Sequence, residues 1–294
     1  MERCTFRFAR QSDLQTIRSE LSPEAWNRLS ELLKFNCTRP EWIVLGFTAE
    51  ALTGTLALAT QTEFGFPLEV FEFHRNPKGE IDSLGMLNFA IENARTLGSR
   101  ELFCTVPEDP AKIEIISDAG FRPWRNVVRF ECKGPADFGA QSYRSAQTDN
   151  FDRTEIIALI EQTSELSADS QIELYRRRLG AMADAAMTLE IMELTEYDPR
   201  WWRVALTPSG RPIGIVLPVL ALGEATIGFI GVKPEFRGRK IASFLLAEAW
   251  AIMKHGGYAT LYAEADRRNV SMHRGLTASG FTLQCRKQEW RLEL

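Results

Sequence analysis

The sequence predicts an α/β fold of the α+β type, with a mixed sheet, that occurs twice along the chain. Short apolar runs typical of strands alternate with helical patterns throughout. Similar segments recur at a fixed distance, since Gly54 and Gly214 lie in similar strands and Gly120 and Gly280 each precede a phenylalanine, both 160 residues apart. A chain of 294 residues is also long enough for two domains of ordinary size.

Each copy is predicted to contain the same elements in the same order. The opening strands are residues 6–9 and 143–146, each leading into a helix N-cap. The helices that follow are 14–33 in the first copy and 150–166 and 172–182 in the second. Three strands come next, at 42–47, 53–60 and 69–73 or at 202–206, 213–219 and 225–232. A helix (83–97 or 241–254) ending at Gly98 or Gly256, a buried strand (101–106 or 260–265), another helix and one or two strands complete the copy.

The copies differ in length before their central strands. The opening strands of the two copies are 137 residues apart, whereas the later matching segments, at Gly54 and Gly214 and at Gly120 and Gly280, are 160 residues apart. The second copy therefore has 23 extra residues before Gly214. That region contains Met182, Met187 and Met192, which suit either an adaptable pocket wall or ordinary helix packing. Residues 133–141 are rich in small and turn-forming residues, so we place the domains at 1–135 and 141–294.

Composition argues against several classes of protein. A net charge of −4 does not favour nucleic acid as a partner. The sequence has no apolar run of membrane-spanning length and no secretory signal, so a cytoplasmic protein without membrane contact is expected. The five cysteines are far apart without a CxxC pair, so neither a zinc site nor a disulfide framework is indicated.

The most informative segment is a basic turn between a strand and a helix, within residues 231–246. An apolar strand ends at Pro234, Gly238 lies in the turn, and a helical pattern begins near Ile241. The first N–H groups of such a helix can bind an anion, phosphate above all. A solvated basic turn that caps a surface helix is the alternative.

This segment resembles the signature of the GCN5-related N-acetyltransferase (GNAT) family. The signature is a strand ending in Val-x-Pro, then Arg/Gln-x-x-Gly-x-Gly/Ala opening a helix, and Val232, Pro234, Arg237 and Ala242 fit it. The usual central glycine is replaced by Lys240, for which an ordinary negative φ is expected. Downstream, Asn269-Val-Ser-Met and Gly280-Phe resemble the family's Asn-x-x-Met/Ala and Gly-Phe ending. The tyrosine often found as a proposed general acid is Leu276 here.

The resemblance implies two tandem GNAT domains, similar to the arrangement in mycothiol synthases, with acetyl-CoA as co-substrate and no metal. The pyrophosphate would lie on the basic turn, and the pantetheine would lie beside the preceding strand, where a bulge opens a slot. A backbone N–H near Val232 would polarise the thioester carbonyl. The residues expected to bind the co-substrate are Ile230, Gly231, Val232, Arg237, Gly238, Arg239, Lys240, Ile241, Ala242, Ser243 and Asn269.

The expected activity is transfer of an acetyl group from acetyl-CoA to a primary amine of a small molecule or peptide, in a ternary complex. Glu224 is the first candidate general base, with Glu264 and Asp266 as alternatives, although each also fits a solvated carboxylate at a strand end. A non-catalytic acyl-CoA sensor of the same fold is the alternative function. The sequence leaves open whether the chain forms a homodimer.

The first copy is predicted to keep the fold without binding acyl-CoA. At an offset of 160, Glu80 and Asp82 correspond to Lys240 and Ala242, and two carboxylates would repel a pyrophosphate. Asp109 corresponds to Asn269 in the same way. The first domain is therefore expected to be degenerate, and to act structurally or to help form the acceptor pocket.

Overall fold

The computed structural model describes residues 4–49, 51–60, 69–75, 82–134 and 143–294. The chain divides into two compact units, which we call unit 1 (Met1–Arg125 with Lys287–Leu294) and unit 2 (Asn126–Arg286). The mixed α/β fold predicted from the sequence is confirmed. The domains at 1–135 and 141–294 remain a prediction about the sequence repeat, because two strands pass from one compact unit to the other.

The first half of the sequence has the predicted order of elements. They are β1 (Thr5–Phe8), α1 (Leu14–Glu20), α2 (Pro23–Lys34), β2 (Ile43–Thr48), β3 (Ala51–Ala59), β4 (Glu69–Arg75), α3 (Ser83–Thr96), β5 (Glu101–Pro107), α4 (Pro110–Asp118) and β6 (Arg122–Cys132). The single helix predicted at 14–33 is wrong, because the chain is extended at Leu21 and a new helix starts at Pro23. The Ser22 side chain accepts a hydrogen bond from Ala25 N, and proline favours the first position of a helix.

The second half of the sequence repeats this order with one more helix. Its elements are β7 (Arg144–Gln147), α5 (Arg153–Ser164), α6 (Ser170–Leu179), α7 (Ala181–Leu194), β8 (Arg203–Leu206), β9 (Pro212–Ala221), β10 (Glu224–Val232), α8 (Ile241–His255), β11 (Leu261–Asp266), α9 (Val270–Ala278) and β12 (Thr282–Glu293). The helix predicted at 172–182 is wrong at its end. Gly180 breaks it with φ 87° and ψ 155°, a conformation that favours glycine, and α7 then runs to Leu194.

The sheet of each unit is closed by a strand from the other half of the sequence. Unit 1 has the order β1–β2–β3–β4–β5–β12, and unit 2 has β7–β8–β9–β10–β11–β6. Residues 127–132 of β6 pair antiparallel with β11, whereas residues 287–293 of β12 pair antiparallel with β5. In both sheets the described pairing is parallel at one place, β4 with β5 and β10 with β11. Residues from the first half of the chain, on β6, can therefore contribute to a site in unit 2.

The sheet of unit 2 packs between two layers of helices. On one face, Ala225 and Ile227 of β10 join a core formed with α8 and α9. On the other face, Phe229 packs against a core formed by α5 and α7. The change of face after Ile227 reflects an irregularity in β10, which positions the site described below. None of the helices in the described ranges is long and apolar enough to cross a membrane.

Candidate functional site

Strands β10 and β11 separate after two paired positions and leave a slot between them. The parallel register is Thr226 with Tyr262 and Ile227 with Ala263, and the pairing of the described strands ends there. The pairing of β10 with β9 shifts between Ile227 and Phe229, so Gly228 forms a bulge, as the resemblance implies for this strand. The bulge turns the following residues of β10 away from β11, and the slot opens at this fork.

Two helices lie close to the β10 side of this slot at two of its glycines. A methyl group at Gly228 would overlap Met192 Sδ of α7, and one at Gly231 would lie 2.5 Å from Thr163 Cβ of α5. Thr163 is buried, and its hydroxyl donates to Ile160 O at 3.1 Å. The helices therefore approach the backbone of β10 closely. Met192 lies in this contact between helix and strand, which is one of the two roles that the sequence allows for the methionines of this region.

The basic turn after β10 leads directly into the N-terminus of α8. Residues Pro234–Phe236 form a short 3-10 turn, Gly238 has φ 76°, and Lys240 has φ 61° in the left-handed region. The ordinary φ expected for Lys240 is therefore wrong, because the turn requires a left-handed residue at the position where the family has glycine. An added methyl at Gly238 would have no heavy atom within 4 Å, so the turn faces open space.

Helix α8 has no side-chain cap at its N-terminus. Lys240 is the N-cap residue and forms no capping hydrogen bond. The first backbone hydrogen bond of α8 is donated by Phe244 N to Lys240 O at 3.0 Å. Within the described residues, no side chain caps the N–H groups of residues 241–243, so they are available to an anionic group.

Arg237 is directed into the protein rather than toward the turn. Its Nε donates to Val232 O at 3.0 Å, and its Nη2 donates to Thr163 O at 3.0 Å and Glu165 O at 2.5 Å. Burial lowers the pKa of Arg237, with Glu165 and Glu235 opposing the shift. The guanidinium remains charged in a protein, and it ties the C-terminal end of α5 to the end of β10. Arg237 is among the residues expected from the sequence to bind the co-substrate. In this arrangement its side chain holds the backbone that forms the turn, and its contact with the co-substrate stays a prediction.

The other expected co-substrate residues lie around the same edge of the sheet. Ile230, Gly231 and Val232 form the β10 side of the slot, and Gly238, Arg239, Lys240 and Ala242 form the turn. Ile241 and Ser243 are buried, and Ser243 Oγ accepts a hydrogen bond from Ser279 Oγ at 3.1 Å. Asn269 follows β11, and its Oδ1 caps α9 by accepting from Met272 N at 3.1 Å.

The three candidate carboxylates occupy different places. Glu224 begins β10, just after the two-residue hairpin turn of Leu222 and Gly223. Asp266 is buried and holds the backbone, accepting from Ser170 N at 2.9 Å and from Arg268 N at 2.8 Å. Glu264 is the first residue of β11 beyond the last pair with β10, so it lies at the fork.

The face on which Glu264 lies follows from its neighbours. Ala263 and Ala265 point into the core with α8, so Glu264 and Tyr262 point to the opposite face, where α5 and α7 pack. That face also carries Phe229. Glu264 is thus on the helix-covered side of the slot, as a group acting on an acceptor there would need to be.

Arg129 is the residue of this site that sequence reasoning missed. It lies on β6 opposite Glu264, with Nη2 2.6 Å from Glu224 Oε2 and Nη1 3.6 Å from Glu264 Oε1. Burial lowers the pKa of Arg129, but the hydrogen bond and charge of Glu224 together with the charge of Glu264 raise it overall. No local motif marks Arg129, because a strand pattern does not reveal which strand will pair with it.

Asp184 on α7 is a second titratable group that the sequence analysis did not single out. Its side chain is buried, and this burial raises the pKa to about 6, with Arg176 opposing and Asp169 adding to the shift. The signal was present in the sequence, since Ala181, Ala185 and Leu189 place Asp184 beside an apolar helix face. Burial of a carboxylate disfavours its charged form, so ionisation of Asp184 destabilises the fold.

Comparison with known proteins agrees with this geometry. Residues 163–281 match the sequence model of the Acetyltransferase (GNAT) family. The chain is similar in structure to a GCN5-related N-acetyltransferase from Sphaerobacter thermophilus, with 16% identity, a TM-score of 0.68 and coverage of 99% of this chain and 95% of that one. It is also similar to a tandem GNAT protein from the clavulanic acid biosynthesis pathway, with 18% identity, a TM-score of 0.63 and coverage of 99% and 98%.

A third similar structure is an acetyltransferase of the GNAT family from Colwellia psychrerythraea, with 14% identity, a TM-score of 0.54 and 99% coverage of both chains. The comparison with curated proteins finds no match. The structural likenesses extend over both units, so the predicted tandem fold is confirmed.

Proposed function

We propose that the chain transfers an acetyl or other acyl group from acyl-CoA to a primary amine. The premise is that residues 163–281, which match the sequence model of the Acetyltransferase (GNAT) family, form a domain of that family. The amine belongs to a small molecule or a peptide, and transfer is direct within a ternary complex. The observation that carries this proposal is the fork at Gly228, which opens a slot beside an uncapped, basic helix N-terminus.

The turn and the slot divide the co-substrate between them in this proposal. The pyrophosphate binds the N–H groups at the start of α8, where Lys240 and Arg239 add positive charge. The pantetheine follows residues 230–232, whose edge toward β11 lacks a recorded partner among the described strands. Arg237 supports this site indirectly, because its bonds to α5 and Val232 fix the end of β10.

Glu264 is the general base in this proposal. An attacking amine must be neutral, so a proton has to leave the acceptor nitrogen, either directly to a carboxylate or through water. Glu264 lies at the fork, whereas both oxygens of Asp266 hold backbone N–H groups and Glu224 lies at the hairpin end of β10. A backbone N–H just beyond the bulge polarises the thioester carbonyl.

A non-catalytic acyl-CoA sensor is the second candidate function, and one observation favours it. Leu276 replaces the tyrosine that GNAT enzymes often place at this position, and its side chain is buried in the core with α8. No phenol can therefore protonate a leaving thiolate from that position. The sensor would bind acyl-CoA and release no thiol with any amine.

The experiment is a screen of primary amines with detection of the free thiol of CoA. With an accepted amine, Glu264→Gln is expected to lower kcat roughly 100-fold while the affinity for acetyl-CoA is unchanged. Glu114→Gln, at an exposed position of α4, serves as the control. A larger loss in Glu224→Gln than in Glu264→Gln would assign the base to Glu224. Binding of acetyl-CoA without thiol release from any amine would favour the sensor.

A further inference from the structure

The exchange of strands places one residue of the first sequence copy at the fork of unit 2. Arg129 belongs to β6, which follows α4 of the first copy, yet its strand pairs with β11. In that register Arg129 lies directly opposite Glu264. Directly opposite residues on antiparallel strands project to the same face, so both side chains lie on the face where α5 and α7 pack.

The contacts of Arg129 connect the titratable groups near the fork. Its guanidinium is 2.6 Å from Glu224 and 3.6 Å from Glu264, and it lies 4.2 Å from the ring centroid of Tyr262. The Arg129 side chain is 15% exposed, whereas those of Glu224 and Glu264 are 40% and 36% exposed, so the charge of Arg129 is screened by solvent less than theirs. One guanidinium between two carboxylates leaves a net charge of −1, which favours a cationic ammonium as the incoming acceptor.

The hydrogen bonds of Arg129 are not arranged for stability alone. Its Nε is buried and has no hydrogen-bond partner among the described residues. A buried donor without a partner destabilises a fold by about 1–3 kcal/mol. The Nη groups are instead directed to the two carboxylates, and the planar guanidinium fixes where those contacts can form.

We propose that Arg129, which lies in unit 2 because strand β6 is exchanged, is a positioning residue that orients Glu264 at the fork. Its second contact, with Glu224, holds that carboxylate in an ion pair at the other end of β10. This inference rests on the proposed function, in which Glu264 receives the proton of the acceptor amine. The first sequence copy thus contributes to the transfer site through its closing strand, without binding acyl-CoA itself.

The test compares Arg129→Met and Arg129→Lys in the full chain, using an amine accepted by the wild type. Arg129→Met is expected to lower kcat roughly 10- to 100-fold, because a small misplacement of a reacting group is enough for such losses. Its dissociation constant for acetyl-CoA stays within about twofold, since the turn is not in contact with Arg129. Arg129→Lys keeps a cation beside the carboxylates and is expected to recover most of the lost kcat.

Arg125→Met is the matched control, because Arg125 lies on the same strand in a similarly buried pair with Glu289 of unit 1. It is expected to lower stability and leave kcat unchanged. An unchanged kcat in Arg129→Met, no recovery in Arg129→Lys, or a parallel loss of acetyl-CoA affinity would overturn the positioning role alone. A wild type that binds acetyl-CoA but releases no thiol would refute both the activity and the role.

Discussion

Helices α3 and α8 begin at equivalent places in their units, but their first turns differ. Asp82 is the N-cap residue of α3, and its Oδ1 accepts from Gly85 N at 2.7 Å. Lys240 is the N-cap residue of α8 and forms no capping bond. The expected alignment of Asp82 with Ala242 is therefore wrong, because the helix starts place Asp82 opposite Lys240. Glu80, the other carboxylate of that comparison, lies outside the described residues.

This difference shows that the fold and the binding site are separable. Unit 1 keeps the parallel pairing of β4 with β5 over two positions, and its β3–β4 register also shifts, between Leu56 and Ala57. The fork is thus present in both units. At the helix N-terminus of unit 1, the Asp82 carboxylate already accepts a hydrogen bond from one of the free N–H groups and adds negative charge. The N-cap therefore decides which unit we expect to bind an anionic co-substrate.

Exchanging the N-cap residue of α8 should have the largest effect on the binding of acetyl-CoA. Lys240→Asp gives α8 the acidic cap of α3, and we expect the affinity for acetyl-CoA to fall by more than roughly 100-fold, because a carboxylate both caps the helix and repels phosphate. Isothermal titration calorimetry measures this. Lys240→Gly is the control, which should retain binding and stabilise the fold by about 1 kcal/mol, since glycine accepts a positive φ. Equal affinity in Lys240→Asp and the wild type would refute the assignment.

A second difference between the units is the extra helix of unit 2, which carries Asp184. Because the pKa of Asp184 is raised from 3.8 to about 6, the folded state binds this proton more tightly than the unfolded state. Stability is therefore expected to fall as pH rises from about 4 to about 6, and the penalty is complete above that range. Asp184→Asn should stabilise the protein by about 3 kcal/mol at pH 8 and remove this dependence.

Urea unfolding at several pH values checks the Asp184 prediction. Asp149→Asn, at an exposed position of the same unit, should leave the pH dependence of the wild type intact. A destabilised Asp184→Asn variant at pH 8 would show that the carboxylate is ionised and paired in the folded state.

The smallest expected effect concerns the cap of α3. Asp82→Ala removes an N-cap hydrogen bond, so the free energy of unfolding should decrease by about 1 kcal/mol. The variant should still bind acetyl-CoA as the wild type does, because unit 1 is not the binding unit. Chemical denaturation and calorimetry on the same samples separate the two outcomes. A second binding site in Asp82→Ala would mean that only this carboxylate prevents binding in unit 1.

The sequence was sufficient for features that depend on local chemistry. The repeat, the turn at Gly238 and the start of α8 follow from periodicity and turn residues, and a resemblance placed the bulge. The left-handed Lys240 was missed because propensity favours a negative φ for lysine, and the geometry of the turn overrides that preference. The sequence shows a glycine at position 180, but a single glycine within a helical pattern does not by itself predict that the helix ends there.

Features that depend on distant pairing could not be predicted. Alternation identifies β6 and β12 as strands, but it carries no information on whether each closes its own sheet or the other. The role of Arg129 follows from that exchange and was therefore out of reach. The inward direction of Arg237 depends on the carbonyl groups at the end of α5, whose position only the fold reveals.

The central claim is that this chain has one acyl-CoA site and that the site is in unit 2. Calorimetric titration of the wild-type chain with acetyl-CoA tests it most directly, through the number of sites per chain. We predict one site per chain, and its absence in Lys240→Asp under the same conditions. Two sites per chain, or no heat of binding at millimolar acetyl-CoA, would contradict the account.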